Sequence, residues 1–234
     1  DMDPILDVCR EYNLPVVEDA AESLGAMYKG RPVGHLGDIG CFSFNGNKII
    51  TAGGGGVVVS DNETWADRAR YLTTQGKDHP VEYIHNEVGY NYRLTNLQAA
   101  IGCAQLELLD QFLVEKRHIY QKYRKALQDV SGICLMREAE WATSAFWMST
   151  MVVDKKAFGK NSRELLQRLR SQKIETRPLW QPNHLSLAHR DAVSGPCPVA
   201  EHLYETALSL PSSTALTAIQ QNRVVEAIIG EAAA

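Results

Sequence analysis

A short apolar run, Val16-Val17, passes straight into two carboxylates, Glu18-Asp19. Open α/β sheets bind ligands just beyond the carboxyl ends of their strands, so an acid at that position stands where a ligand would sit. The surrounding pattern agrees with such a sheet. Ile5, Leu6, Val8, Cys9 and Tyr12 fall at roughly helical spacing, and Pro4 is tolerated in a first turn. Asn13 and Leu14-Pro15 then end the helix. Ile39 to Phe44 reads as a second strand and Gly56 to Ser60 as a third. Between them lie Asn45-Gly46-Asn47-Lys48 and a glycine run from Gly53 to Gly56.

From Thr95 the spacing predicts one long helix, opened by a Thr95/Gln98 capping pair. Leu97, Ile101, Leu108, Phe112, Ile119, Tyr123 and Leu127 form its apolar stripe. After Gly132 the texture changes. Ser149 to Val153 resembles a strand, Ser162 to Ser171 a helix and Thr217 to Ile229 a final helix, together a smaller α+β domain. The expected organisation is an α/β domain over residues 1–128 and a small domain over 129–234.

Composition narrows the functional classes. Hydrophobic residues make up 44% and charged residues 22% of 234, as in ordinary globular proteins. A net charge of -4 gives no basic stripe for nucleic acid. No apolar run approaches membrane-spanning length, and the opening residues lack the basic-then-apolar order of a secretory signal. Five cysteines are scattered singly with no Cys-x-x-Cys pair, which predicts neither a metal site nor disulfides. A reducing cytoplasm is the expected location.

Four features fall within one stretch: Asp19 at a strand end, Ser43 in a strand, Lys48 in the following loop, and the glycines. Each has a plainer reading. A lone loop lysine is usually solvated, and an aspartate after a strand usually caps a turn. No Gly-Lys-Ser/Thr ends the glycine run, so it is not a Walker loop.

Longer segments carry a resemblance. The run from Val16 to Ala26 (VVEDAAESLGA) resembles the acidic strand-end motif of the DegT/DnrJ family of sugar aminotransferases. Gly37 to Lys48 (GDIGCFSFNGNK) is similar to that family's lysine motif, and Gly89 to Ala100 (GYNYRLTNLQAA) to its third signature. Phe146 to Thr150 (FWMST) and Arg177 to Trp180 (RPLW) resemble its small-domain segments. The likeness runs through nearly the whole chain in family order, and is strongest to members that make 4-amino sugars for glycans such as bacillosamine and legionaminic acid.

The resemblance implies an α/β, fold type I, pyridoxal 5′-phosphate (PLP) dependent enzyme: part of a large domain with a mixed, mostly parallel sheet, plus a C-terminal α+β domain, working as a homodimer. Lys48 would hold PLP covalently, and Asp19 would face its ring nitrogen. Glu22 would lie near the ring, Ser43 would donate to the phosphate, and Asn91 would reach the phosphate of the neighbouring subunit's cofactor. Arg177 and His184 lie in a loop that would contact the sugar or its diphosphate. The expected reaction moves an amino group from glutamate to a nucleotide-linked keto-sugar, such as a UDP-4-keto-6-deoxy sugar. A carboxylate keeps the pyridine nitrogen protonated, because an opposite charge favours the charged form. The lysine amine then serves as a positioned general acid and base between the donor's α-carbon and the cofactor.

The plainer alternatives stay open on residues alone: sheet pairing for Ser43, a first-turn helix acid for Glu22, a turn residue at Asn91, a loop histidine at His184 and a surface salt bridge at Arg177. A dehydratase of the same fold would carry histidine in place of Lys48. The family also has a substantial N-terminal portion, with the first strands, a phosphate-binding turn and a ring-stacking aromatic. The chain is therefore expected to be a truncated part of such an enzyme, at its least a non-catalytic interaction module.

Overall fold

The computed structural model describes residues 1–232. Its elements begin with α1 (Met2–Glu11), β1 (Val17–Asp19), β2 (Met27–Tyr28), β3 (Arg31–Pro32), β4 (Ile39–Ser43), β5 (Gly56–Val59), α2 (Glu63–Thr73), α3 (Asn96–Leu106) and α4 (Leu109–Leu127). They continue with β6 (Ile133–Leu135), β7 (Ala142–Thr143), β8 (Ser149–Val153), α5 (Lys155–Phe158), α6 (Ser162–Ser171), β9 (Arg177–Pro178), α7 (Pro198–Thr206), β10 (Ala207–Leu210) and α8 (Ala218–Glu231). Two units result, residues 1–114 with 138–147, and residues 115–137 with 148–232. Helix α4 crosses the boundary in sequence.

In the first unit β4 lies between β1, which is parallel to it, and β5, which is antiparallel. The register sets Asp19 opposite Cys41 and Ser43 opposite Gly56. A second, small antiparallel sheet joins β3, β2 and β7, and so returns residues 138–147 to this unit. Asn13 ends α1 with φ 52, while Leu14 N–H bonds back to the Cys9 carbonyl at 2.8 Å. Asparagine is among the few residues that adopt this left-handed backbone at low cost.

Close backbone packing leads into β4. A Cβ at Gly40 would meet the Gly34 carbonyl oxygen at 2.0 Å, and Gly34 itself has φ 87. Only glycine permits both. The Glu18 side chain organises the same turn. This residue is 8% exposed, and its carboxylate accepts backbone N–H bonds from Gly34 (2.8 Å), Leu36 (2.5 Å) and Gly37 (2.6 Å). A buried carboxylate is tolerable when its oxygens are satisfied in this way.

The single long helix expected from Thr95 is two helices. The Thr95/Gln98 capping box opens α3 as the sequence predicts. The break falls at Glu107 and Leu108, where Leu108 N–H bonds to Gln105 O, a tighter i→i−3 turn. The apolar stripe divides there. Leu97 and Ile101 of α3 are exposed, whereas α4 buries Ile119, Tyr120, Tyr123 and Leu127.

The second unit is an antiparallel sheet in the order β6-β8-β10-β9, covered by helices. Met151 of β8 and Leu208 of β10 are paired and fully buried. Leu165 and Leu169 of α6, Ile228 of α8 and Leu127 of α4 complete an apolar core. The expected strand at 149–153 and helix at 162–171 form with those bounds. Thr217 caps α8 through a capping box with Gln220. Below this sheet α4 holds the 211–218 segment: Tyr123 donates to Pro211 O at 2.9 Å and Lys116 to Ser212 O at 2.6 Å. Burial pushes the Lys116 ammonium down to about 8 and raises the Tyr123 phenol. Among the described residues no helix is long and apolar enough to cross a membrane.

Candidate active site

The carboxyl ends of β1 and β4 carry the candidate groups of the first unit. Asp19 is exposed at the end of β1, and its Oδ1 accepts the Ala21 N–H at 3.1 Å. That bond is the turn-capping role any aspartate can play after a strand. It leaves most of the carboxylate outside the turn. Ser43 ends β4, and its Oγ accepts the Asn45 N–H at 3.3 Å.

The loop after β4 is closed at its base. Phe44 N–H bonds to Gly55 O and Ala52 N–H to Phe44 O, both at 2.9 Å. Ile50 and Ala52 are buried beneath it. The glycine run permits the closure, with φ 79 at Gly53 and φ 74 at Gly55. Lys48 stands in a turn of this loop, its N–H bonded to Asn45 O at 3.0 Å. Its side chain is only 13% exposed.

Two groups meet the Lys48 amine. Glu22 Oε1 lies 3.5 Å away on a half-exposed side chain. The Trp147 ring lies across it, with Nζ 4.2 Å from the ring centroid. Trp147 also donates its indole N–H to the Asn47 carbonyl at 2.7 Å.

Asp19, Glu22, Ser43, Lys48 and Asn91 thus all belong to the first unit, and contact joins Lys48 to Glu22. Asn91 is exposed and bridges in backbone to Thr74, and its sequence neighbours Tyr90 and Tyr92 stack ring on ring. Arg177 and His184 belong to the second unit. Arg177 forks onto Glu175 Oε1 at 2.6 and 3.1 Å, and lines a cavity of about 460 Å³ with Lys173, Ser212 and Arg223. His184 Nε2 pairs with Glu201 at 2.9 Å in a short 3-10 turn.

Sequence reasoning missed two residues here. Glu18 passed as a neighbour of Asp19, because β1 exposes the apolar Val17 and buries the acid, the reverse of what an apolar-inward strand leads one to expect. Trp147 touches residues 47 and 48 across a separation of 100 residues, which no local pattern displays.

The donor set suits PLP: a strand-end carboxylate for a ring nitrogen, a hydroxyl at the adjacent strand end for a phosphate, and a sheltered primary amine. A mixed sheet with this chemistry at its strand ends, together with an α+β unit, defines the fold type I class of PLP-dependent aminotransferases. The chain belongs to the DegT/DnrJ/EryC1/StrS aminotransferase family, whose model matches residues 1–229. EpsN of Bacillus subtilis, which bears the name of a pyridoxal phosphate-dependent aminotransferase, is 42% identical over 236 residues, covering 97% of this chain and 59% of that protein. GDP-perosamine synthase of Caulobacter vibrioides is 37% identical, covering 97% and 62%. The crystal structure of the aminotransferase TlmJ from Streptoalloteichus hindustanus superposes with a TM-score of 0.89 at 28% identity, covering 97% of this chain and 61% of that one. The chain therefore spans about three-fifths of the length of these relatives.

Proposed function

We propose that the whole protein transfers an amino group from glutamate to a nucleotide-linked keto-sugar, with Lys48 as the lysine that carries PLP. The observation that carries this reading is the Lys48 amine: sheltered at 13% exposure, on the loop that leaves the sheet whose strand ends present Asp19 and Ser43. Bound PLP supplies an electron sink. Asp19 would hold a proton on the ring nitrogen, Ser43 would donate to the phosphate and Glu22 would lie near the cofactor ring. Lys48 Nζ would take the proton from the donor's α-carbon and return it in the second half of the cycle. Arg177 and His184 are proposed to meet the sugar or its diphosphate.

The names of the relatives support a sugar as the acceptor. The expected substrate is a UDP-4-keto-6-deoxy sugar, with the GDP-linked form as its direct competitor. Exposed Val81, Tyr83, Val88 and Tyr92, flanking Asn91, support an assembly as a homodimer in which that loop is covered.

The full-length protein tests this directly. It should take up PLP with the absorbance of a lysine-linked cofactor, and Lys48→Ala should lose that band. Mass spectrometry should then find amino-sugar product from one of the two keto-sugars when glutamate is present. A full-length protein that fails to bind PLP defeats the proposal.

A further inference from the structure

One indole touches both the reactive side chain and the backbone beside it. The Trp147 face lies 4.2 Å from Lys48 Nζ, and its N–H reaches Asn47 O at 2.7 Å. Trp147 is 8% exposed, so the ring has little freedom to leave. A cation over an indole face within about 6 Å is attracted by the ring quadrupole, and more so where water is excluded. Glu22, by contrast, is 3.5 Å away and 53% exposed, so its attraction is screened by solvent.

The backbone gives a second, independent observation. Phe146 has φ 45, in the left-handed region, although it is a bulky residue and 7% exposed. Such a conformation persists only where its surroundings enforce it, and it gathers at functional positions. The enforcement is visible. Strand β7 pairs with β2, Ser144 N–H bonds to Glu138 at 2.6 Å, and Phe146 N–H bonds to Ser144 Oγ at 3.0 Å. The left-handed turn at Phe146 immediately precedes Trp147.

We propose that Trp147 is a positioning residue for Lys48: its ring face sets the direction of the amine, and its N–H pins the turn that bears it. This deepens, and rests on, the reading of Lys48 as the cofactor lysine. A lysine has four rotatable carbons and a compact charge, and by itself holds no fixed direction. Whenever the amine is free of the cofactor it must remain where it can move a proton. The indole face supplies that direction, and the bond to Asn47 O fixes the loop from which the stem departs. Removing the ring should therefore slow proton movement by Lys48 and leave substrate affinity nearly unchanged.

The test uses full-length wild type, Trp147→Phe, Trp147→Leu and Lys48→Ala. The first readout needs no cofactor and no turnover. In protein with ¹³C-labelled lysine, the Lys48 ε-methylene signal is assigned by its loss in Lys48→Ala. It should be displaced upfield by the indole in wild type, stay partly displaced in Trp147→Phe, and return to the ordinary lysine position in Trp147→Leu. The second readout is kinetic. A single cation–π contact corresponds to about a tenfold rate change. Trp147→Leu should lower kcat about tenfold with KM within about twofold, and Trp147→Phe, which keeps a face but loses the N–H, about threefold. An unmoved Lys48 signal in Trp147→Leu, or a kcat within about twofold of wild type, overturns the proposal. Should Trp147→Leu fail to fold by circular dichroism, Trp147→Phe decides, and an unchanged kcat there overturns it. Failure of wild type to take up PLP defeats the proposed function instead, while the methylene signal still decides by itself whether the contact exists.

Discussion

Glu18 offers the sharpest prediction about the fold beneath the site. Its Oε1 accepts from Leu36 and Gly37, and its Oε2 from Gly34. Glu18→Gln retains one carbonyl oxygen, which can keep the first two bonds, but turns an amide NH2 toward the Gly34 N–H. One charge-assisted bond is lost and a donor meets a donor. Hydrogen bonds to charged groups contribute about 1.5–3 kcal/mol, so the substitution should cost about 2–3 kcal/mol. Glu18→Ala leaves three N–H groups without a partner, for about 4 kcal/mol once water entering the half-buried edge is allowed for. At the length of the relatives, about five-thirds of this chain, each kcal/mol moves the midpoint by about 1–2 °C, which gives a fall in Tm of about 2–6 °C for Gln and about 4–8 °C for Ala. Thermal unfolding of the full-length variants by circular dichroism reads this out. A Glu18→Gln midpoint within about 1 °C of wild type, or an alanine variant no worse than the glutamine one, refutes the reasoning.

Other expectations follow from single groups. Lys116 has its folded-state pKa lowered to about 8 from 10.5 by burial, so between those values the unfolded chain binds more protons than the folded one. Stability should accordingly rise with pH, by about 2 kcal/mol between pH 8 and 10. Urea unfolding across that range should show the slope in wild type, and Lys116→Met should abolish it. Lys173 has φ 60 just past the Gln172 cap of α6, where glycine is the favoured residue. Lys173→Gly should stabilise by about 1 kcal/mol, measured as a rise in Tm. Asn161→Ala removes the capping box of α6 and should cost about 1 kcal/mol in the same assay.

What the sequence disclosed was local, and what it concealed was long-range or lacked periodicity. The capping boxes at Thr95 and Thr217 bring a hydroxyl and an amide three residues apart, so both helix starts could be read directly. Asn13 announced the end of α1 because asparagine suits a left-handed stop, whereas Lys173 gave no warning that it fills the same position after α6. Strand β10 is buried at all four positions and offers no alternation, and α2 buries none of its residues, so neither stood out. The break between α3 and α4 has no glycine or proline to mark it. Of the candidate residues, Asp19 and Ser43 could be placed because a strand delivers its last residues to one end of a sheet, whereas Lys48, in the loop beyond β4, was singled out through the family resemblance. Trp147 was not legible, because its place depends on β7 pairing with β2 far along the chain.

That difference bears on how the lysine is controlled. A loop lysine is normally solvated, and nothing in the Asn45–Lys48 turn itself would shelter one. Shelter comes from the segment that β7 anchors, through an aromatic placed by a strained backbone at Phe146. The segment that carries this contact is anchored by the pairing of β2 with β7. Loosening the β2–β7 pair should therefore release the amine even with Trp147 intact. Thr143 is the residue opposite Met27 in that pair, and Thr143→Pro removes its backbone N–H. In the full-length variant the Lys48 ε-methylene signal should move toward the ordinary lysine position, with overall circular dichroism preserved. An unmoved signal would mean that the loop holds Trp147 by other means and that the strand pair contributes nothing to the site.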